Sequence, residues 1–214
     1  MKSSVVTICI VLFGLISHSQ ESDLFQLWPD TTLAKANTGA GLEYMSHEEK
    51  LTLFYTNLVR INPGLFADTY LEDYLSENKI RKDKDVKSLI KTLSNTSARV
   101  ILKPSEELTH TARAHAIDMG KTGRTGHNSS KGESFATRLK EPSKIYRGLN
   151  ENANYGNEHA LDIVIDLLID RNVSNAGHRK NILDIEMRYM GVAIEPHVRY
   201  GYNCVQDFGG PLTK

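Results

Sequence analysis

Cysteine is nearly absent from this chain: 214 residues contain two, Cys9 and Cys204. Cys9 lies in an apolar leader, so a single thiol remains after the leader is lost. One thiol closes no internal disulfide, and the core has to stabilise the fold unaided. A surplus of either charge is lacking too, with 26 Lys and Arg against 26 Asp and Glu. Recognition of a phosphate backbone calls for a basic excess, so the balance argues against nucleic acid as a partner. No internal repeat and no low-complexity tract is present, which removes the solenoid and fibrous classes. The one strongly apolar run, residues 5–16, is shorter than the roughly 20 residues a membrane-spanning helix needs.

That run instead reads as an export signal. Lys2 supplies a positive start, and Ser17 and Ser19 are small residues at the spacing of a cleavage site after Ser19 or Gln20. Residues 1–19 are therefore expected to be a signal peptide, and the product secreted or extracellular, or periplasmic in a Gram-negative host. Without Lys2 the mature chain has 25 basic residues against 26 acidic. Residues 20–45 mix Gly, Thr, Asn and Asp with few apolar anchors and read as a loosely ordered arm. The folded domain is expected over 46–210.

Ser46 before His47, Glu48 and Glu49 is an N-cap with first-turn carboxylates. Leu51, Phe54, Tyr55, Leu58 and Ile61 then recur at helical spacing until Asn62-Pro63-Gly64. A second helix is expected over 65–75, and a charged, partly helical insertion over 76–97. Pro104-Ser105-Glu106-Glu107 starts another helix, whose buried stripe is Leu108, Ala112, Ala116 and Met119 and whose stop is Gly120 and Gly123. A short helix is expected around 135–139. Residues 158–170 form a helix apolar nearly all round, and 187–194 and 200–208 read as strands broken at Glu195-Pro196-His197. Helices early and strands late give an α+β class with an antiparallel sheet. Cys204, in an alternating apolar stretch, reads as a buried, inert thiol.

Four polar residues sit beside glycine, asparagine or a turn instead of in an apolar stripe: His127, Glu151, Asp170 and His178. Two imidazoles and two carboxylates can bind a divalent metal or perform acid and base chemistry near neutral pH. Arg179 and Lys180 read as a solvated face, and Ile182 and Leu183 as core. His115 reads as a structural histidine, and His110, His159 and His197 as surface residues. Ser129 and Ser130 adjoin His127 without any nucleophile-elbow motif. Asn95, Asn128 and Asn172 begin glycosylation sequons, which matter only in a eukaryotic host.

Several strings occur in an order that resembles the CAP superfamily (cysteine-rich secretory proteins, antigen 5 and pathogenesis-related proteins) in its short, cysteine-poor microbial form. They are Ala114-His115-Ala116-Ile117-Asp118-Met119, Gly126-His127-Asn128, Glu151-Asn152-Ala153-Asn154-Tyr155-Gly156, Gly177-His178-Arg179-Lys180-Asn181-Ile182-Leu183, Met190-Gly191-Val192-Ala193 and Cys204-Val205-Gln206-Asp207-Phe208. The resemblance implies a three-layer α-β-α sandwich with a small central antiparallel sheet and a cleft holding two histidines and two acids. His127 and His178 match the cleft histidines and Glu151 an acid. Asp170 is nearest in order to the other acid, where many relatives have a tryptophan-containing segment. In several relatives the histidines hold zinc or another divalent ion, and relatives are associated with lipid or sterol binding.

Two roles stay open for Glu151. It is a candidate general base of a metal-assisted hydrolase of peptides or esters, or an orienting partner of a ligating imidazole. The leading expectation is a secreted, monomeric domain whose cleft binds a divalent cation and a small ligand, lipid or protein partner.

Overall fold

The computed structural model describes residues 24–213. The expected signal peptide lies outside the described residues. Residues 24–26 are helical, helix α1 (Asp30–Ala36) follows, and α2 (His47–Ile61) starts where Ser46 and Glu49 form a reciprocal capping box. The Ser46 hydroxyl accepts from Glu49 N at 3.3 Å and the Glu49 carboxylate from Ser46 N at 2.7 Å, satisfying two helix-end donors. After Asn62, helix α3 (Pro63–Phe66) runs through a π turn (Ala67–Leu71) into α4 (Glu72–Glu77).

The segment expected to be a loosely ordered arm is folded against the core over its described part. Trp28, Ala36 and Met45 are buried, and Trp28 Nε1 donates to Thr69 Oγ1 at 3.2 Å. A few anchors spaced along a polar segment are enough to dock it when each is large or fits a prepared site. The charged insertion likewise contains α5 (Lys84–Ser94), whose Val86, Leu89 and Leu93 are wholly buried while its lysines face outward. Its charge belongs to one face of an amphipathic helix.

Strand β1 (Lys103–Pro104) leads into α6 (Glu106–Thr122), capped by Ser105 and ended by Gly123 at φ 68°. Two short helices follow, α7 (Phe135–Arg138) and α8 (Pro142–Ile145), then β2 (Leu149–Tyr155), α9 (Ala160–Ile169), α10 (Gly177–Leu183), β3 (Tyr189–His197) and β4 (Gly201–Gly209). The sheet order is β1-β3-β4-β2. β2 and β3 flank β4 antiparallel, but the two-residue β1 pairs parallel to β3, so the sheet is mixed and not purely antiparallel. A parallel pair needs a long crossover, and the chain from 105 to 188 supplies it.

Three layers result. On one face α6 lies against β3 and β4 through Ala112, Ala116, Ala193 and Val205. The contact is close enough that a Cβ on Gly191 would meet the Leu108 carbonyl carbon at 2.1 Å, so only glycine fits there. On the other face Met190, Val192, Cys204 and Phe208 join α2, α5 and α9 in the main core. Alternation along β4 therefore sends Cys204 and Phe208 one way and Val205 and Asp207 the other.

β2 was not legible as a strand, because Asn150, Glu151, Asn152 and Asn154 are poor strand formers. Tertiary partners compensate: Asn152 Nδ2 donates to Gln206 Oε1 at 3.1 Å and Asn154 Nδ2 to Asp166 Oδ2 at 2.6 Å. The hairpin also turns later than expected. β3 continues through Pro196, paired with Tyr202, and His197, paired with Gly201. Pro196 is tolerated because β1 ends far short of it, leaving that part of β3 as an edge.

Candidate functional site

His127 and His178 line one open cleft of about 450 Å³, together with Thr125, Gly126, Ala153, Tyr155 and Tyr200. Each arrives from a different element: His127 from the loop after α6, Tyr155 from β2, His178 from α10 and Tyr200 from the β3–β4 turn. Half-buried Tyr155 holds the loop in place, its hydroxyl accepting from Gly126 N at 2.8 Å. On the other flank of that loop the Asp118 carboxylate accepts from Ser130 N at 2.6 Å.

The four residues singled out from the sequence come together as two histidine–carboxyl pairs. His127 Nδ1 lies 2.8 Å from Glu151 Oε1, and His178 Nδ1 lies 2.8 Å from Asp170 Oδ1. A carboxylate only accepts hydrogen bonds, so each Nδ1 carries a hydrogen, and in the neutral ring that leaves Nε2 as the acceptor. Both carboxyl groups are buried while both imidazoles reach solvent. Asp170 has a second task. It ends α9 in the left-handed region at φ 59°, and its Oδ2 accepts from His178 N at 2.9 Å, capping α10. Asp is among the few side chains that adopt this backbone readily.

Glu151 is held from several sides. Arg138 Nη2 donates to both of its oxygens at 2.7 Å, and Arg138 Nε and Nη2 also donate to the His127 carbonyl at 3.0 and 2.8 Å. One guanidinium thus fixes both the backbone of His127 and the carboxylate that orients its ring. Burial opposes ionisation of Glu151, but the hydrogen bonds from His127 and Arg138 and the Arg138 charge outweigh it and hold the carboxyl below its usual range.

Behind this pair lie two residues to which the sequence reading assigned no role in the site or only a structural one. Asp207 is directly opposite Glu151 in the β2–β4 register and wholly buried, its Oδ2 accepting from Thr111 Oγ1 at 2.8 Å. Burial first, and the neighbouring Glu151 charge second, push its carboxyl well above the ordinary value. An acid inside an apolar strand was the signal available for it. His115, buried on α6, donates Nε2–H to the Gly126 carbonyl at 2.9 Å and lies 4.0 Å from Glu151. Burial lowers its affinity for a proton, although Glu151 works in the opposite direction.

Several other expectations are corrected. Arg179 is buried: its Nε donates to Leu168 O at 2.6 Å and Nη2 to Ile169 O at 3.0 Å, satisfying carbonyls at the end of α9. His197 is buried with Nε2 at 2.9 Å from Arg124 O, so it is no surface residue. Leu183 is half-buried whereas Ile182 is fully inside. Cys204 is buried, and burial pushes its thiol up, as an inert sulfur requires.

Two imidazoles whose Nδ1–H groups rest on carboxyls have the arrangement of metal-ligating histidines. Among the described residues, however, no group of three or more His, Cys, Asp or Glu is placed to hold a metal ion. The donor set fits a divalent ion only with water or an added ligand completing the coordination, and does not fit a closed structural zinc site.

The family model for the cysteine-rich secretory protein (CAP) family matches residues 68–208, and the chain belongs to that family. No curated protein matches it significantly. Among solved structures it is similar to an extracellular SCP-domain protein from Bacillus anthracis (20% identity, TM-score 0.38), covering 59% of this chain and 40% of that one. It is also similar to an outer surface protein from Borrelia burgdorferi (18% identity, TM-score 0.44, 62% and 96% covered). A third is venom allergen-like protein 4 from Schistosoma mansoni (12% identity, TM-score 0.46, 79% and 92% covered). The chain thus spans less than half of the Bacillus protein.

Proposed function

We propose that this CAP domain is a binding module, exported by its leader, that takes up a small polar ligand between His127 and His178, with a divalent cation such as zinc as one occupant. The observation that carries this reading is the pair of 2.8 Å Nδ1–carboxyl contacts, which engage Nδ1 of each ring and leave Nε2 as the ligating atom of two histidines that line the same cleft. When bound, the ion would supply Lewis acidity; the chain's own contribution is to hold both rings in one tautomer. Glu151 serves as an orienting group. Its oxygens are committed to His127 and Arg138, and its low proton affinity makes it a poor general base, so the hydrolase reading has less support. No described helix is long and apolar enough to cross a membrane.

Isothermal titration of the metal-free protein with zinc tests this function. Saturable binding is expected in the wild type and not in a His127→Ala/His178→Ala double variant. Equal affinity in both proteins would remove the cleft as the site.

A further inference from the structure

The walls of the cleft restrict the chemistry of what can enter it. Tyr155 and Tyr200 line it with ring centroids 5.8 Å apart, and His197 lies 5.5 Å from the first and 5.0 Å from the second, so three rings form one aromatic cluster. Tyr200, 44% exposed, presents part of that cluster to solvent. A second hollow of about 190 Å³ adjoins the cleft and shares Ala153, Tyr155 and His178 with it. This hollow adds Asn154, Asp166 and Asp170, so polar groups run on past His178.

Three ligand classes fit these walls badly. An anion would meet the exposed Asp166 carboxyl with the buried Asp170 charge close behind, while Arg171, the arginine of the lining, is paired with Asp83. An alkyl chain would desolvate the exposed Asp166 carboxyl and the imidazoles for little apolar contact, since Ala153, Leu167 and Val173 are the aliphatic lining residues. A peptide adding as a strand on β2 is obstructed, because Asn181 Nδ2 already donates to Glu151 O at 3.1 Å. What suits an aromatic wall beside a row of hydrogen-bond acceptors is a neutral ring with an apolar face and hydroxyl donors at its edge.

We propose that the cleft and the adjoining hollow bind a neutral oligosaccharide, with sugar rings packed on Tyr200 and Tyr155 and hydroxyls donating to Nε2 of His127 and His178 and to Asp166. This rests on the cleft being a ligand site and adds the class of ligand. The test is isothermal titration of the EDTA-stripped full chain with cellotetraose, tetra-N-acetylchitotetraose and maltotetraose in turn. At least one tetrasaccharide should bind saturably, with affinity falling about tenfold or more in Tyr200→Ala and staying within about threefold in Tyr200→Phe. Tyr200 lies in an exposed turn, and a thermal melt of each variant checks that it folds. Absence of saturable binding by all three sugars, or equal affinity in Tyr200→Ala and wild type, overturns the inference. Zinc titration of the same preparation separates the two readings: zinc without sugar sinks only the oligosaccharide, and sugar without zinc sinks only the metal.

Discussion

Asp207 faces Glu151 across the β2–β4 ladder, a buried carboxyl opposite a buried carboxylate. The same burial acts on both, yet their proton affinities shift in opposite directions. Glu151 is answered by Arg138 and His127, whereas Asp207 has Thr111 and an unfavourable Glu151 charge. Two neighbouring carboxyls whose environments push them apart can share a hydrogen bond, with the proton resting on Asp207.

The consequence for stability has a definite sign. A carboxyl whose folded pKa is raised costs stability as pH climbs above its unfolded value near 4, because the unfolded chain releases a proton that the folded chain keeps. Asp207→Asn keeps a donor toward Glu151 and removes this cost. Urea unfolding between pH 4 and 8 should show the variant gaining on the wild type as pH rises. A variant that loses ground over that range would contradict the assignment.

His115 acts at the acid end. Its folded pKa is lowered by burial, so stability falls as pH drops below the unfolded imidazole value of about 6.5, where the unfolded chain gains a proton first. Glu151, lowered as well, contributes stability that is lost only at still lower pH. His115→Gln should therefore flatten the stability profile between about pH 6.5 and 5 and leave the more acidic limb in place. An unchanged slope in that window counts against a neutral buried ring.

Arg138 is the residue on which the His127 side of the cleft depends. Its removal strands the Glu151 carboxylate in the interior, and Arg138→Met should destabilise the protein by roughly 3–5 kcal/mol in chemical denaturation. The double variant Arg138→Met/Glu151→Gln should recover part of that loss, since the buried charge is gone. A near-neutral single variant would show that the ion pair contributes little.

Much of the scaffold was legible because local chemistry and tertiary structure agree. Ser46 with Glu49, and the stripe Leu108, Ala112, Ala116 and Met119, satisfy helix ends and bury one face wherever they occur. The glycine- and asparagine-flanked histidines were legible as a cleft through their order along the chain. The remainder depends on partners far away in sequence. Asn154 is accommodated in a strand with Asp166 accepting its amide, and Arg179 lies inside where α9 offers it open carbonyls. Arg138, in a four-residue helix, carries no periodic signal of its tie to Glu151.

That Arg179 is a core residue has its own test. Arg179→Ala frees carbonyls at the end of α9 and empties a buried position touching Ser88 and Thr92 on α5. The expected loss is about 3 kcal/mol by urea denaturation, against less than about 0.5 kcal/mol for exposed Lys180→Ala. A loss for Arg179→Ala as small as that for Lys180→Ala would place the Arg179 side chain in solvent.

Nitrogen NMR of ¹⁵N-histidine-labelled protein, recorded before and during zinc addition, tests the paired imidazoles most directly. The rings of His127 and His178 should both begin as the Nδ1–H tautomer, and zinc should shift both Nε2 resonances together. Rings that begin as the Nε2–H tautomer, or a zinc response from one histidine without the other, would contradict the cleft described above.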